Sequence, residues 1–369
     1  MNPHRYQLAP YRGPATRTTC PACGKPKTFV PYLDTKTGEA LPEPYGRCNR
    51  ETSCGHHLSP YHAGPSGMSY ADEVYRREGG KGQFRSSRPR IPAQRPPMPP
   101  PNARRSDAQP ILSIPDEVFT ASLGHYDRNQ FTRLLRRHFG MGVADELLAR
   151  FQVGTSSALW PGATVFWYID EQGRKRGGQV VLFDEQGNTV KKLRPDGEKK
   201  RYTSWVHTAL AVRCQRQRIP APDWLTTYTE QAEKSPCLFG LPQLHTAPPT
   251  QSVAIVEAPK TAVLCSGYPG FNSFVWLAVG ALSYLNVERL APLRGRNVVL
   301  FPDLSTGGKV FNEWNRKAGE LKRHGLNVAA SDYLETRATD EQRAAGYDLA
   351  DYLLEGWPGY PPAWDDTLK

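Results

Sequence analysis

The sequence predicts an α/β protein in three parts: a parallel-sheet domain at the C-terminus, an α+β middle region, and a small metal-stapled β-ribbon at the N-terminus. Three observations carry this expectation. Beyond residue 251, short apolar runs alternate with helical stretches; residues 163–192 alternate apolar and polar between glycine turns; and four cysteines crowd the first 54 residues as Cys20-x2-Cys23 and Cys48-x5-Cys54.

The cysteines come first in the chain. Zinc takes four thiolate or imidazole ligands at about 2.0–2.3 Å, and a Cys-x2-Cys knuckle followed by a second pair is a recurrent way to supply them. Between the pairs, Lys27 to Gly38 reads as a strand entering a turn. Cys20, Cys23, Cys48 and Cys54 are therefore the expected structural Zn²⁺ ligands. His56 and His57 lie close enough to Cys54 for one of them to replace a sulfur. Cys214, Cys237 and Cys265 are expected as buried or incidental thiols, and this usage suits a reducing compartment.

At 369 residues the chain exceeds one compact core. Its segments are expected as a zinc ribbon at 1–65, a disordered Pro/Arg-rich linker at 66–110, a basic α+β region at 111–250 and an α/β domain at 251–369. The net charge of +11 favours a polyanionic partner, because Lys and Arg release counterions from phosphates; acidic substrates and anionic membranes fit as well. No run of about 18 apolar residues occurs, and the start Met-Asn-Pro-His-Arg-Tyr lacks the apolar core of a secretion signal. A soluble cytoplasmic protein with no membrane partner is the expectation.

The run from Arg88 to Pro101 is too poor in apolar residues to order itself, which marks the linker. In the middle region, Asp127–Phe139 and Val143–Phe151 have helical periodicity. Phe131, Leu134, Leu135 and Phe139 share one face; Arg133, Arg136 and Arg137 fall elsewhere, on a face suited either to a nucleic-acid backbone or to solvent. Strands at Ala163–Asp170, Gly178–Phe183 and Thr189–Lys192, separated by glycine turns, predict an antiparallel meander. Lys191, Lys192, Arg194, Lys199, Lys200 and Arg201 precede Tyr202 and Trp205. Cations beside rings suit single strands; the same pattern arises from core aromatics next to a solvated loop.

In the C-terminal third, Ser252–Val256, Phe274–Ala278, Asn297–Phe301 and Leu326–Ala330 read as buried strands of a parallel sheet. Ligands gather at the carboxyl ends of such strands. Glu257 ends the first run and Asp303 the third. Pro259 suits a first helical turn, which places Lys260 and Thr261 at a helix N-terminus that favours phosphate. Carboxylates beside a phosphate-attracting helix end call for a divalent cation or a proton transfer, and Mg²⁺ is the natural cation for oxygen ligands. Gly307-Gly-Lys309 lacks the P-loop frame, so no helicase motor is expected within the chain.

Val256-Glu-Ala-Pro-Lys-Thr-Ala262, the glycine turn at Ala278-Val-Gly280, and Leu300-Phe-Pro-Asp303 resemble the Toprim signature of primases and topoisomerases, in its mobile-element, primase-like version. The resemblance covers roughly Ser252 to Leu354. A zinc ribbon and a middle region ahead of this Rossmann-like sheet is also the order of bacterial and phage DNA primases. It implies a primase-like enzyme of a bacterial mobile element or phage, with Mg²⁺-dependent phosphoryl transfer on single-stranded DNA, nucleotides as substrates and a separate replicative helicase as partner. Glu257 would serve acid/base chemistry or metal placement, Asp303 would bind Mg²⁺, and Lys260 would belong to the catalytic set. Ser305 stands where the family's Asp-x-Asp has its second acid. Being neutral, it weakens a metal site in which Asp332, or Asp348 and Asp351, would supply the missing charge; Asp348 equally suits a helix cap. Two other readings stay open: a non-catalytic replication or mobilisation protein with a degenerate Toprim fold, and a Toprim nuclease. Strand passage would need a tyrosine nucleophile in a separate domain, which no segment clearly supplies.

Overall fold

The computed structural model describes residues 5–10, 13, 16–50, 54, 56–62, 68–78, 111–193, 199–233 and 237–357. The chain divides into two compact units, residues 1–107 and 108–369.

The first unit is an antiparallel sheet in sequential order: β1 (Tyr6–Leu8), β2 (Phe29–Asp34), β3 (Gly46–Cys48) and β4 (His57–Leu58). Arg5 fastens it. Its Nε and Nη2 donate to the carboxylate of Asp34, at 2.9 Å and 2.6 Å to Oδ2, and its Nη1 donates to Glu78 Oε2 at 2.7 Å. Glu78 follows helix α1 (Tyr70–Arg77), whose start is fixed by a capping box between Ser69 and Asp72. Residues 70–77 of the segment expected as a linker, 66–110, thus form a helix, because this cap outweighs the weak local composition; residues 66, 67 and 79–110 lie outside the described residues.

Among the described residues, the second unit contains two four-stranded sheets and a two-stranded hairpin, with a large apolar core and a smaller apolar cluster. It begins with α2 (Asp116–Thr120) and α3 (Gln130–Arg150). The two helical stretches read from the sequence lie end to end in this span and are parted at Gly140, whose φ of 75° and ψ of 169° are non-helical and which an L side chain rarely adopts. Asn129 caps it, accepting from the amides of Phe131 and Thr132. The antiparallel sheet comprises β5 (Gly154–Thr155), β6 (Thr164–Ile169), β7 (Lys175–Val181) and, beyond the hairpin of β8 (Lys191–Leu193) with β9 (Lys199–Arg201), β10 (Thr203–Trp205); its order is β10-β7-β6-β5. Every residue of β6 is buried. Val165, Trp167 and Ile169 meet Phe119 and Val206 on one face, while Phe166 and Tyr168 enter the main core on the other.

Helices α4 (Val206–Gln217) and α5 (Asp223–Gln231) follow. The parallel sheet has the order β12-β11-β13-β14, with β11 (Val253–Val256), α6 (Pro259–Gly267), β12 (Val275–Ala278), β13 (Asn297–Leu300), α7 (Lys309–Arg323) and β14 (Asn327–Ala330). β11 and β12 are wholly buried, which explains their unbroken apolar runs. The sheets are joined through Phe239. Its backbone pairs with Ala278 at the edge of β12, and its ring stacks on Phe151 with centroids 5.6 Å apart. Helices α8 (Asp340–Ala345) and α9 (Leu349–Glu355) close the unit, α9 packing on α6. No helix among the described residues is long and apolar enough to cross a membrane.

Candidate metal centre and acid cluster

The four cysteines converge. Their sulfurs lie within 4.8 Å of one another, with Cys20 to Cys54 at 3.8 Å and Cys23 to Cys48 at 4.0 Å. A tetrahedral zinc–thiolate centre with bonds of about 2.3 Å has sulfur–sulfur edges of about 3.8 Å, so the cage fits Zn²⁺ without rearrangement. Backbone turns build it: Gly24 N donates to Cys20 O at 2.9 Å, and Arg50 N points to Cys48 Sγ at 3.4 Å. The Lys25 amide holds the Cys23 thiol down to about 6. Cys54 moves the other way, to about 12: the His56 amide favours its thiolate, but desolvation and the neighbouring sulfurs outweigh that. Four thiolates this close need a cation among them. His56 and His57 are not in the cage. Nε2 of His56 faces Pro44 O at 3.0 Å, and Nε2 of His57 faces Tyr32 OH at 3.1 Å. Cys214, Cys237 and Cys265 are buried thiols, and no cysteine forms a disulfide.

At the carboxyl edge of the parallel sheet, Glu257 leaves β11 and Asp303 follows its neighbour β13. Gly280 turns the chain after β12 at φ 79°, its amide donating to Glu257 O at 2.8 Å; a Cβ there would stand 2.9 Å from the Tyr168 hydroxyl, so both the backbone and the packing require glycine. Asp303 is half-buried. Desolvation first, then the charges of Asp348, Glu257 and Asp351, raise its carboxyl well above the usual carboxylate range, with Lys260 pulling the other way. Lys260, on the first turn of α6, has a side chain only 15% exposed; its Nζ lies 3.0 Å from Asp351 Oδ1 and 3.8 Å from Asp348 Oδ2. Burial works against its ammonium, but Asp348, Asp351 and Asp303 overcome that and raise its pKa.

Asp348 and Asp351 are engaged twice over. They form the capping box of α9, Asp351 N donating to Asp348 Oδ1 at 2.8 Å and Asp348 N to Asp351 Oδ2 at 3.3 Å. Thr261, fully buried on α6, donates to Asp348 Oδ2 at 2.6 Å. The pair considered as substitute ligands is thus committed to a helix cap and to Lys260. Ser305 is likewise used locally, its Oγ accepting from Val310 N at 2.9 Å at the start of α7. Asp332 lies two residues beyond β14, exposed on the same sheet edge.

The oxygens of Glu257 and Asp303 are hard donors of the kind Mg²⁺ prefers, and the crowding that raises Asp303 is what a cation relieves. Among the described residues, only the four cysteines bring three or more ligand side chains to a common point. A cation at Glu257 and Asp303 would keep most of its coordination as water, as Mg²⁺ commonly does. A cleft of about 640 Å³ opens beside Asp351, lined by Arg137, His138, Asn188, Tyr347 and Glu355. A second cavity, about 250 Å³, is apolar, lies against Val165, Trp167 and Val206, and includes none of the predicted site residues.

The arginines of α3 are mostly occupied: Arg133 donates to Asp127 O, Arg136 pairs with Asp145 at 2.8 Å, and Arg137 donates to Glu185 O. This favours the solvated-face reading for that helix. Lys191, Lys192 and Arg201 stand exposed on the β8–β9 hairpin, while Arg194 and the side chains of Lys199 and Lys200 lie outside the described residues. Tyr202 and Trp205 are half-buried; Tyr202 packs on Trp160 and Trp205 on Tyr168, with centroids 4.9 and 5.8 Å apart. The contacts that sequence reasoning missed, Lys260 to Asp351 and Thr261 to Asp348, join residues 91 and 87 positions apart, beyond any local pattern.

A domain family of unknown function, DUF6371, matches residues 129–304, from the cap of α3 to just past Asp303. A zinc β-ribbon finger family matches residues 4–66, and with the sulfur cage this makes the N-terminal unit a zinc ribbon. No curated protein matches the sequence. Among solved structures the chain is similar to the DnaG primase catalytic domain bound to ssDNA, at 14% identity over 68% of this chain and 75% of that one with a TM-score of 0.39. It is similar also to the primase fragment of the bacteriophage T7 primase–helicase protein, at 12% identity over 92% and 94% with a TM-score of 0.35. A third is the E. coli primase catalytic core, at 16% over 68% and 70% with a TM-score of 0.31.

Proposed function

We propose that this chain is a DNA primase-like enzyme whose Toprim-type site, built on Glu257 and Asp303, carries out Mg²⁺-dependent phosphoryl transfer with nucleotides on a single-stranded DNA template. The observation that carries this is the meeting of two strand-end carboxylates from adjacent parallel strands, β11 and β13, with Asp303 crowded among acids and a single lysine. Glu257 and Asp303 would hold the cation, which when bound supplies charge stabilisation to attacking and leaving oxygens. Glu257 would also accept the proton of the attacking hydroxyl. The exposed cations of the β8–β9 hairpin offer a phosphate-tracking surface, and the zinc ribbon would contact template. These 369 residues carry no P-loop frame, and we read a replicative helicase as a partner, in replication of a phage or mobile element. Seven thiols without a disulfide fit a reducing cytoplasm.

A specific observation favours a second reading, a non-catalytic DNA-binding relative: Ser305 is neutral and Asp348 and Asp351 are committed elsewhere, which leaves Glu257, Asp303 and the exposed Asp332 for metal. Primer synthesis on single-stranded DNA with ribonucleotides, with and without Mg²⁺, distinguishes the two. Metal-dependent product is expected of the enzyme; its absence alongside intact DNA binding identifies the binding protein.

A further inference from the structure

We propose that the cavity between the antiparallel sheet and helices α2 and α4 is a pocket for one unpaired guanine base, held by Arg213 and Glu117. It includes neither Glu257 nor Asp303, so the two readings stand or fall separately.

The walls are apolar. Val165 and Trp167 of β6, Val180 of β7, Val118 of α2, and Val206 and Leu210 of α4 line a volume of about 250 Å³. Pockets for drug-sized ligands hold ~300–1,000 Å³, so this one suits a single fused ring with its sugar and phosphate left outside. Trp167 is fixed in place: its Nε1 donates to Ser122 Oγ at 2.9 Å, and that hydroxyl donates to Phe119 O at 2.7 Å. The indole therefore has no donor to spare and offers the pocket an apolar surface, against which the face of a base is buried favourably.

The polar groups set which base. Arg213 of α4 lines the same cavity, and its guanidinium makes no hydrogen bond or ion pair among the described residues, although its Nε is buried. Buried donors in folded proteins are normally matched by an acceptor, and a guanidinium presents parallel N–H groups that call for two. Glu117, exposed on α2, also lines the cavity and forms no ion pair with Arg213. A ligand that satisfies both needs paired acceptors for the arginine and paired donors for the carboxylate. Guanine has both: O6 with N7, and N1–H with the N2 amino group. Adenine and cytosine offer the carboxylate only an amino group, and an apolar carboxylic acid would satisfy Arg213 but be repelled by Glu117. Positive charge for the phosphate is close at hand. Val180 pairs with Ser204 of β10, and the exposed Lys191, Lys192 and Arg201 stand on the hairpin that leads into that strand.

The test is calorimetric titration of the zinc-loaded full chain, without added divalent cation. The probes are guanosine and adenosine 5′-monophosphates, and oligothymidylates carrying a single dG or a single dA. The guanine ligand is expected to bind at least about tenfold more tightly than its adenine counterpart, and Arg213→Met and Glu117→Gln should each weaken guanine binding by about tenfold. Preference among the mononucleotides marks a free nucleotide as the source of the base, and preference confined to the oligonucleotides marks a strand; either supports the proposal. No preference in either series, or one that Arg213→Met or Glu117→Gln leaves intact, overturns it. Glu257→Gln should leave the preference unchanged; its loss there would place the base at the acid cluster and overturn the proposal. Should Arg213→Met fail to fold, Arg213→Lys, which keeps the charge and loses the paired donors, decides by the same measurement.

Discussion

Thr261 on α6 donates a 2.6 Å hydrogen bond to Asp348 at the cap of α9, both groups being buried. This bond, with Lys260 beside it, docks the last helix against the sheet that carries the acids. Thr261→Val keeps the shape and removes the donor, leaving a buried carboxylate oxygen short of a partner. The expected cost is about 1–3 kcal/mol in denaturant unfolding of the C-terminal unit, with zinc content unchanged. A variant as stable as wild type would show that the bond contributes nothing to docking α9.

Ser305 Oγ accepts the Val310 amide in the first turn of α7, and an aspartate can accept the same hydrogen bond. Ser305→Asp should therefore fold normally while bringing a further carboxylate to the sheet edge beside Asp303. Mg²⁺ or Mn²⁺ affinity is expected to rise by about tenfold, the change that ~1.4 kcal/mol of added attraction brings. Calorimetric titration checks this.

The sulfur cage predicts one zinc per chain. Cys23→Ser/Cys48→Ser should lose it and unfold the N-terminal unit, since structural zinc contributes on the order of 10 kcal/mol to such modules. Atomic absorption and circular dichroism read both effects; full zinc content in the double variant would contradict the cage.

Asp34 gives the ribbon unit an acid dependence of defined sign. The Arg5 hydrogen bonds hold its carboxyl below the usual range. Its stabilisation is therefore complete above the unfolded value of about 3.9 and is lost as pH falls through the lower folded value. Arg5→Met should lower the melting temperature of the unit above about pH 5, and the gap to wild type should close as pH drops below that range. Comparing the two proteins at each pH cancels any acid release of zinc common to both. A gap that stays constant down to strong acid would remove Asp34 as its cause.

Elements whose burial is two-sided or whose ligands are local could be read from the sequence. β11 and β12 show as apolar runs because both faces are covered, and the cysteine spacing marks the knuckles because each pair is a local turn. α4 and α5 were not legible: they start after Trp205 and Pro222 with no side-chain cap, and neither has a strong apolar stripe. The candidate acids were placed by their positions at strand ends. What Lys260 and Thr261 bond to was hidden, because Asp348 and Asp351 come from a helix about 90 residues further on and only the packing of α9 on α6 brings them there.

The central claim is that Glu257 and Asp303 together hold the metal for phosphoryl transfer. Primer synthesis on single-stranded DNA, with ribonucleotides and saturating Mg²⁺, tests it in wild type, Glu257→Gln and Asp303→Asn, each checked for zinc content and cooperative unfolding. Metal-dependent synthesis by wild type and a loss of about 10²–10⁴-fold in each variant are expected. Robust wild-type synthesis that both substitutions leave untouched would contradict the account.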